Sequence, residues 1–304
     1  MNISKIKKPK IVVLGDVMLD VHKWGVVERI SPEAPIPILS VKEIKYTLGG
    51  SGNVAANLVK LGAEVTLFGV IGNDYNGQQL QNLLNENNIT SHLIQLKDRL
   101  TTTKTRFLDM SGAQTGLRAD EETTTQLING YVNEIKTHFL DYDAIIVSDY
   151  NKGFMNRDLT NFLKKQNTQI YVDTKKANIN LYKNVFLIKP NTKEVKEMTD
   201  LEDDLKGAKV LGKKFYANVL LTRAEKGIAL FKLNEPAPNL YHADKKEVKD
   251  VTGAGDTVLA SFVYFISTGK SLEESTKLAN KAASIAVSRI GCYQPTLLEI
   301  LENK

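Results

Sequence analysis

Short apolar runs recur along this chain, each closing on a small or polar residue and most leading into a stretch with helical spacing. Lys10-Ile11-Val12-Val13-Leu14 is the first, and it closes on Gly15-Asp16. An unbroken apolar run of this length predicts a strand buried on both faces. Val54, Leu58 and Leu61 then fall on one stripe, predicting a helix over Asn53–Leu61 with Gly62 as its stop. Glu64–Gly72 reads as the next strand, followed by a helix near Gly77–Asn87. After an interruption the alternation resumes with strands at Ala144–Asp149, Gln169–Asp173, Val185–Ile188 and Asn218–Thr222. Repeated strand–helix units predict an α/β fold: a three-layer, doubly wound, mostly parallel sheet covered on both faces. Ligands of such sheets sit at the carboxyl ends of the strands, so Asp16, Asp149, Asp173 and Thr222 are candidates for one crevice.

Two segments break the alternation. From Val21 to Tyr46 the pattern is extended and interrupted by Pro32, Pro35 and Pro37, which predicts a sheet edge or a small separate sheet. Thr101–Asp109 and Gln114–Arg118 flank Ser111-Gly112 and read as a β-hairpin. Residues 1–304 are read as one domain, with these excursions at about 21–48 and 98–119 set within it.

Composition narrows the function classes. A net charge of +5 with acidic and basic residues interleaved gives no nucleic-acid footprint and suits small anionic substrates. No apolar run approaches the length of a membrane-spanning helix, and the basic N-terminus lacks the apolar centre of a signal peptide. Cys292 is the only cysteine, which fits a reducing, cytoplasmic setting. His22, His92, His138 and His242 are scattered without metal-ligand spacing, so a zinc site is not expected.

Lys249-Asp250-Val251-Thr252-Gly253-Ala254-Gly255-Asp256-Thr257 carries the strongest chemical signal, a glycine-rich turn running into the apolar stretch Val258–Phe265. Gly253, Ala254 and Gly255 allow close backbone approach, and the first N–H groups of a helix have no partner inside it. The helix dipole adds about half a positive charge there, so the turn is a candidate anion hole. Asp256 at the same end is the candidate general base. The plainer alternative is a turn with cap residues, which any α/β protein accommodates. A second signal is Gly49-Gly50-Ser51-Gly52-Asn53, whose glycines admit a ligand and whose Asn53 can donate to and accept from sugar hydroxyls, or simply cap the helix. Asp16 is placed to orient vicinal hydroxyls. Asn191 and Glu194 stand three residues apart, suited either to holding waters around Mg²⁺ or to forming a capping box. Leu221–Gly227 is a strand end turning where nucleotide phosphates could lie, and Leu278–Ala286 is a small-residue helix able to pack beside an adenine.

These pieces, in this order, resemble the ribokinase-like (PfkB) sugar kinases over essentially the whole chain. The likeness extends to the kinases of heptose 7-phosphates in Arg29–Pro37, Ser148–Gly153 and Asp250–Thr257. The resemblance implies an ATP- and Mg²⁺-dependent transfer of phosphate to a sugar's anomeric hydroxyl, in the synthesis of lipopolysaccharide precursors. It implies Asp256 as catalytic base, with Gly253, Ala254 and Gly255 as anion hole. Asp16, Gly49, Gly50 and Asn53 would hold the sugar, joined by Asp149, and Lys104, Arg106, Lys152 or Lys175 would meet a phosphate already on it. Asn191 and Glu194 would arrange Mg²⁺ through water, and Thr222, Gly227 and Asn280 would meet ATP. The two excursions would form a lid over the sugar and mediate homodimerisation. A monovalent cation beside the nucleotide also belongs to the family pattern. Many relatives carry a further adenylyltransferase domain; this chain has no His-x-x-His motif, so that activity is not expected in it.

The chain departs from the family pattern in three places. Gly49-Gly50-Ser51-Gly52-Asn53 stands where the family has Gly-Gly-Ala-Ala-Asn, Asp173-Thr174-Lys175-Lys176 where it often has Asp-Pro-Lys-Gly, and Gly291-Cys292-Tyr293-Gln294-Pro295 where the heptose kinases have a Gly-Thr stretch. A related kinase for fructose, ribose or a nucleoside would keep Asp256 and change only the sugar side. A non-catalytic sugar- or nucleotide-binding protein would require a defect in Gly253–Asp256, and none is visible. A dinucleotide-dependent oxidoreductase would require Gly-x-Gly-x-x-Gly after the first strand, which Gly15-Asp16-Val17-Met18 does not supply.

Overall fold

Alternate residues of Lys10–Gly15 enter opposite layers: Ile11 and Val13 pack into one hydrophobic cluster, Val12 and Leu14 into another. This is the signature of a strand with helices on both sides. A computed structural model describes residues 8–110, 114–127, 130–244 and 247–302, and it contains the expected three layers around a nine-stranded sheet. Across the sheet the strands run Asn239–Tyr241, Ile228–Phe231, Asn218–Thr222, Leu187–Ile188, Ile170–Thr174, Ala144–Asp149, Lys10–Gly15, Glu64–Gly72, Thr90–Leu96. All pairings are parallel except those of Ile228–Phe231 with its two neighbours. The antiparallel edge and Thr90–Leu96 were not among the strands read from the sequence.

Lys10–Gly15 pairs with Glu64–Gly72 on one side and Ala144–Asp149 on the other, so the chain order reverses there. A crevice opens outside the strand ends at such a switch point. Gly15 is required because its neighbour is so close: a Cβ there would lie 1.9 Å from the Ser148 carbonyl oxygen. The Asp16 N–H donates to that same carbonyl at 3.0 Å.

The chain then leaves the sheet directly. Val17–Ile30 begins one residue after the first strand and pairs antiparallel with Pro37–Gly50 and parallel with Thr103–Asp109, which pairs with Gln114–Glu121. This four-stranded sheet is the separate sheet expected from the proline-broken pattern, and it starts earlier, at Val17 rather than Val21. Pro37 is the first residue of its strand, where a missing N–H is tolerated. The Ser111-Gly112 turn of the expected hairpin lies outside the described residues. Gly50 has φ +54, and a Cβ there would come 2.4 Å from the Asp16 carbonyl oxygen. The Ser51 N–H, which opens helix Ser51–Leu61, donates to that oxygen at 3.0 Å.

Because Gly15 has no room for a side chain, Gly15→Ala is expected to overpack the switch point and lower stability by about 1–3 kcal/mol. A fall in Tm or urea midpoint measures this; an unchanged midpoint would mean that the two strands separate there at little cost.

Candidate active site

Helix Ala254–Ser267 begins at Gly253, whose φ of +75 only glycine adopts easily. A Cβ at Gly253 would stand 2.6 Å from Asn53 Nδ2, so the position also needs glycine sterically. The Ala254 N–H donates to the Val251 carbonyl at 3.2 Å. Among the described residues the N–H groups of Gly253, Gly255 and Asp256 have no protein acceptor, which leaves them free for an anion. Asp256 is buried beside them, and its two oxygens are gripped from opposite sides. Asn53 Nδ2 donates to Oδ2 at 2.8 Å, and Tyr150 Oη donates to Oδ1 at 3.0 Å. Burial and the nearby Asp173 push the Asp256 carboxyl up, while Asn53, Lys189 and Tyr150 hold it down, leaving it at about 6. Asn53 does not cap its helix; Gly50 is the cap, and Asn53 lies a turn further in.

Asp16 sits at the switch point, buried, with a second well-built environment. Its Oδ2 accepts from the backbone N–H groups of Tyr150 and Lys152 at 2.8 and 3.0 Å. Its Oδ1 is buried without a partner among the described residues, an acceptor held ready for a ligand hydroxyl. Burial and then Asp149 push this carboxyl up to about 6, against the loop N–H groups that lower it. Arg99 anchors the same loop by donating to the carbonyls of Thr123, Thr125 and Lys152.

A cluster of four charges adjoins the anion hole. Lys189 is buried, pairs with Asp173 at 2.9 Å, and its Nζ would be 3.2 Å from a Cβ on Gly255. Burial opposes charge on Lys189, but Asp173 and Glu194 outweigh it and raise the ammonium's pKa. Glu194 pairs with Lys175, whose Nζ lies 4.9 Å from the centre of the Tyr150 ring. Asn191 and Glu194 form the full capping box of helix Thr192–Thr199: Glu194 N–H donates to Asn191 Oδ1, and Asn191 N–H to Glu194 Oε2, both at 2.9 Å. The two readings of this pair are therefore compatible. Asp173 Oδ1 is buried with no partner among the described residues, so the cluster retains an open hard-oxygen acceptor beside Glu194. That donor set fits a hydrated Mg²⁺ carried on nucleotide phosphates.

Other expected residues divide. Thr222 bridges to Asn191 beside the Pro190 carbonyl. Gly227, at φ +82, would clash with the Tyr241 carbonyl if it carried a Cβ. Asn280 donates to the carbonyl of His242 at 2.6 Å, in the same segment that Gly227 packs against, while Thr222 alone of the three is joined to Asn191. Gly49 and Gly50 bring the chain against itself, at Asp20 and Asp16, rather than leaving bare space. Asp149, expected among the sugar ligands, is corrected to a structural role. Its carboxylate is filled by Asn178 Nδ2, Thr174 Oγ1, Tyr182 Oη and the Asn151 N–H. Lys152 pairs with Glu122 at 2.6 Å and Arg106 with Asp20 at 2.6 Å. Tyr150, Lys189 and Arg99 were missed as site residues. Tyr150 directly follows a strand end and Lys189 precedes Pro190-Asn191, a positional signal that was available.

Comparison with known proteins agrees with this geometry. The pfkB carbohydrate kinase family matches residues 8–299. The bifunctional protein HldE of Sulfurimonas denitrificans is 39% identical over 99% of this chain and 65% of its own length. That of Pasteurella multocida is 36% identical over 99% of this chain and 64% of its own. The chain thus spans about 65% of the length of these relatives. Among solved structures, phosphofructokinase-2 from Escherichia coli in complex with potassium superposes with a TM-score of 0.79 at 20% identity, covering 96% of this chain and 97% of that one. Arabidopsis thaliana ribokinase complexed with ribose and ATP gives a TM-score of 0.76 at 21% identity, covering 97% and 98%. With an ionised acid set against free amides at the switch point of a ribokinase-like fold, this chain belongs to the pfkB family of carbohydrate kinases and is an ATP-dependent phosphotransferase with an alcohol acceptor.

Proposed function

We propose that the chain phosphorylates the anomeric hydroxyl of D-glycero-β-D-manno-heptose 7-phosphate, giving the 1,7-bisphosphate and ADP. The observation that carries the phosphoryl-transfer reading is Asp256, clamped by Asn53 and Tyr150 beside the free N–H groups of Gly253 and Gly255. The motif resemblance to heptose 7-phosphate kinases and the likeness to the HldE proteins support the choice of sugar. Gly52 is no obstacle: a Cβ there would meet its nearest neighbour at 3.4 Å, so the family's alanine and this glycine shape the same turn.

Asp16 Oδ1 accepts from a ring hydroxyl and fixes the sugar. Asp256 accepts the proton of the anomeric hydroxyl as its oxygen bonds to the γ-phosphorus and the bond to the bridging oxygen of ADP breaks. The free amides and Lys189 face the charge that spreads over the transferred group. Glu194 and Asn191 would arrange the waters of a Mg²⁺ carried on the nucleotide phosphates, and that ion would supply neutralising positive charge there. A monovalent cation beside the nucleotide belongs to the same reading. Thr222, Gly227 and Asn280 border the nucleotide.

The lid also supports self-association. Ile30 at the end of Val17–Ile30, Ile36 in the turn that follows, and Val41 and Ile44 on the edge strand Pro37–Gly50 are exposed, an apolar surface that a second copy would cover. We therefore infer a homodimer joined through the lid.

Three outcomes follow. Asp256→Asn is expected to keep ATP and sugar binding while kcat falls about 10²–10⁴-fold, measured by ADP release and by calorimetry; near-normal kcat removes Asp256 from the mechanism. The base acts only when ionised, so kcat/KM should decline as pH falls through about 6, the position set by burial of Asp256. A profile flat through that region would contradict the assignment. Ile36→Glu with Ile44→Glu should convert the dimer to monomer by light scattering; a dimer that survives both places the interface elsewhere.

A further inference from the structure

We propose that the inner face of the lid carries a second anion site, which takes the phosphate at the far end of the acceptor sugar. This rests on the reading that the acceptor is a sugar phosphate and names the residues that recognise it. One of them, Arg106, is among the four cations the sequence suggested, whereas Lys152 and Lys175 are paired elsewhere with Glu122 and Glu194.

A cavity of about 870 Å³ separates the lid from the segments around Asp250 and Cys292. Strand register places His22 directly between Lys45 and Arg106, with Trp24 two residues along on the same face. Thr47, two residues from Lys45, shares that face, and all five line the cavity. Trp24 Nε1 and Thr47 Oγ1 are buried with no hydrogen-bond partner among the described residues. Buried polar groups of this kind are normally satisfied, so both are open to a ligand. Arg106 uses one nitrogen on Asp20 and keeps further donors. Lys45 lies 5.9 Å from the centre of the Trp24 ring and pairs with Glu43 in a solvent-exposed pair at 3.2 Å that a bound anion would readily outcompete. The acids on the opposite wall are Glu247 and Asp250, and Asp250 already accepts from the N–H groups of Thr252 and Gly291. Burial and then Arg106 lower the His22 pKa, with Lys45 adding to them and Asp20 and Asp250 opposing.

Two of the residues that line the cavity, Cys292 and Gln294, also touch the reaction centre. Cys292 Sγ would lie 3.2 Å from a Cβ on Gly253. Gln294 donates to Asn53 Oδ1 at 3.1 Å, and Asn53 holds Asp256. A molecule with its hydroxyl at Asp256 that extends past Cys292 and Gln294 enters this cavity and reaches the lid. The matching chemistry is a phosphate monoester: several acceptor oxygens for Arg106, Lys45, Thr47 and the indole N–H.

Trp24 is the only tryptophan in the chain, so its emission reports on this site alone. Titrations would use heptose 7-phosphate, the unphosphorylated heptose, inorganic phosphate and a non-hydrolysable ATP analogue. Heptose 7-phosphate, and inorganic phosphate more weakly, should shift the emission. Lys45→Gln and Thr47→Val, with circular dichroism confirming the fold, should each weaken binding of the 7-phosphate by about tenfold or more. The ratio of kcat/KM for the 7-phosphate over the free heptose should fall in parallel. Equal affinity for both heptoses, variants that bind as the parent does, or the same emission change with the ATP analogue alone would each overturn the site. If phosphate binding depends on Lys45 while no heptose phosphate is turned over, the proposed function fails and the anion site stands. If the 7-phosphate is turned over with an unaltered KM in both variants, the function stands and the site falls.

Discussion

Keeping a carboxylate charged where water is excluded is the constraint on which this structure turns. Burial by itself favours the neutral acid, which is useless as a proton acceptor. Two donors from different parts of the chain, Asn53 and Tyr150, oppose that tendency, and a buried ammonium, Lys189, adds to them. The result is an acid poised near neutrality rather than one that is strongly ionised and weakly basic. Each donor depends on its own piece of the fold. Asn53 comes from the helix that Gly50 opens, Tyr150 from the loop that Asp16 and Arg99 hold, and Lys189 from the end of a central strand.

The four charges of Asp173, Lys189, Glu194 and Lys175 extend the same logic. A buried ion pair is seldom a net gain in stability, because both partners lose their water. Lys189 and Asp173 are nevertheless almost fully enclosed, and Lys189 stands next to Gly255. Such a cluster supplies fixed charge that need not reorganise when phosphate arrives, which is the chief electrostatic advantage of a protein site over water.

Much of this was legible in the sequence. The apolar strand bodies announced the parallel sheet because strands covered on both faces have little choice of composition. The proline-broken stretch announced the separate four-stranded sheet, and the Gly253–Asp256 turn announced the start of helix Ala254–Ser267. What escaped was set by distance through space. Nothing local to Asp149 says that Asn178 and Tyr182 will fill its carboxylate, since those partners arrive from beyond the next strand. Tyr150 likewise gained its role from a residue more than a hundred positions away. The short edge strands Ile228–Phe231 and Asn239–Tyr241 carry too few residues for periodicity to register.

One junction has a mechanical consequence. Val17–Ile30 leaves the central sheet with only Asp16 between the two strands, and its 14 residues at a rise of about 3.3 Å make a bar of roughly 45 Å. Asp16 is thus both a fulcrum and the holder of a buried, unpartnered carboxylate oxygen at the switch point. Tilting the bar by a few degrees sweeps its outer end through several ångström while displacing the fulcrum hardly at all. The carboxylate at the switch point can stay in place while the far end of the four-stranded sheet travels, so a single residue separates the fixed crevice from the part able to move over it.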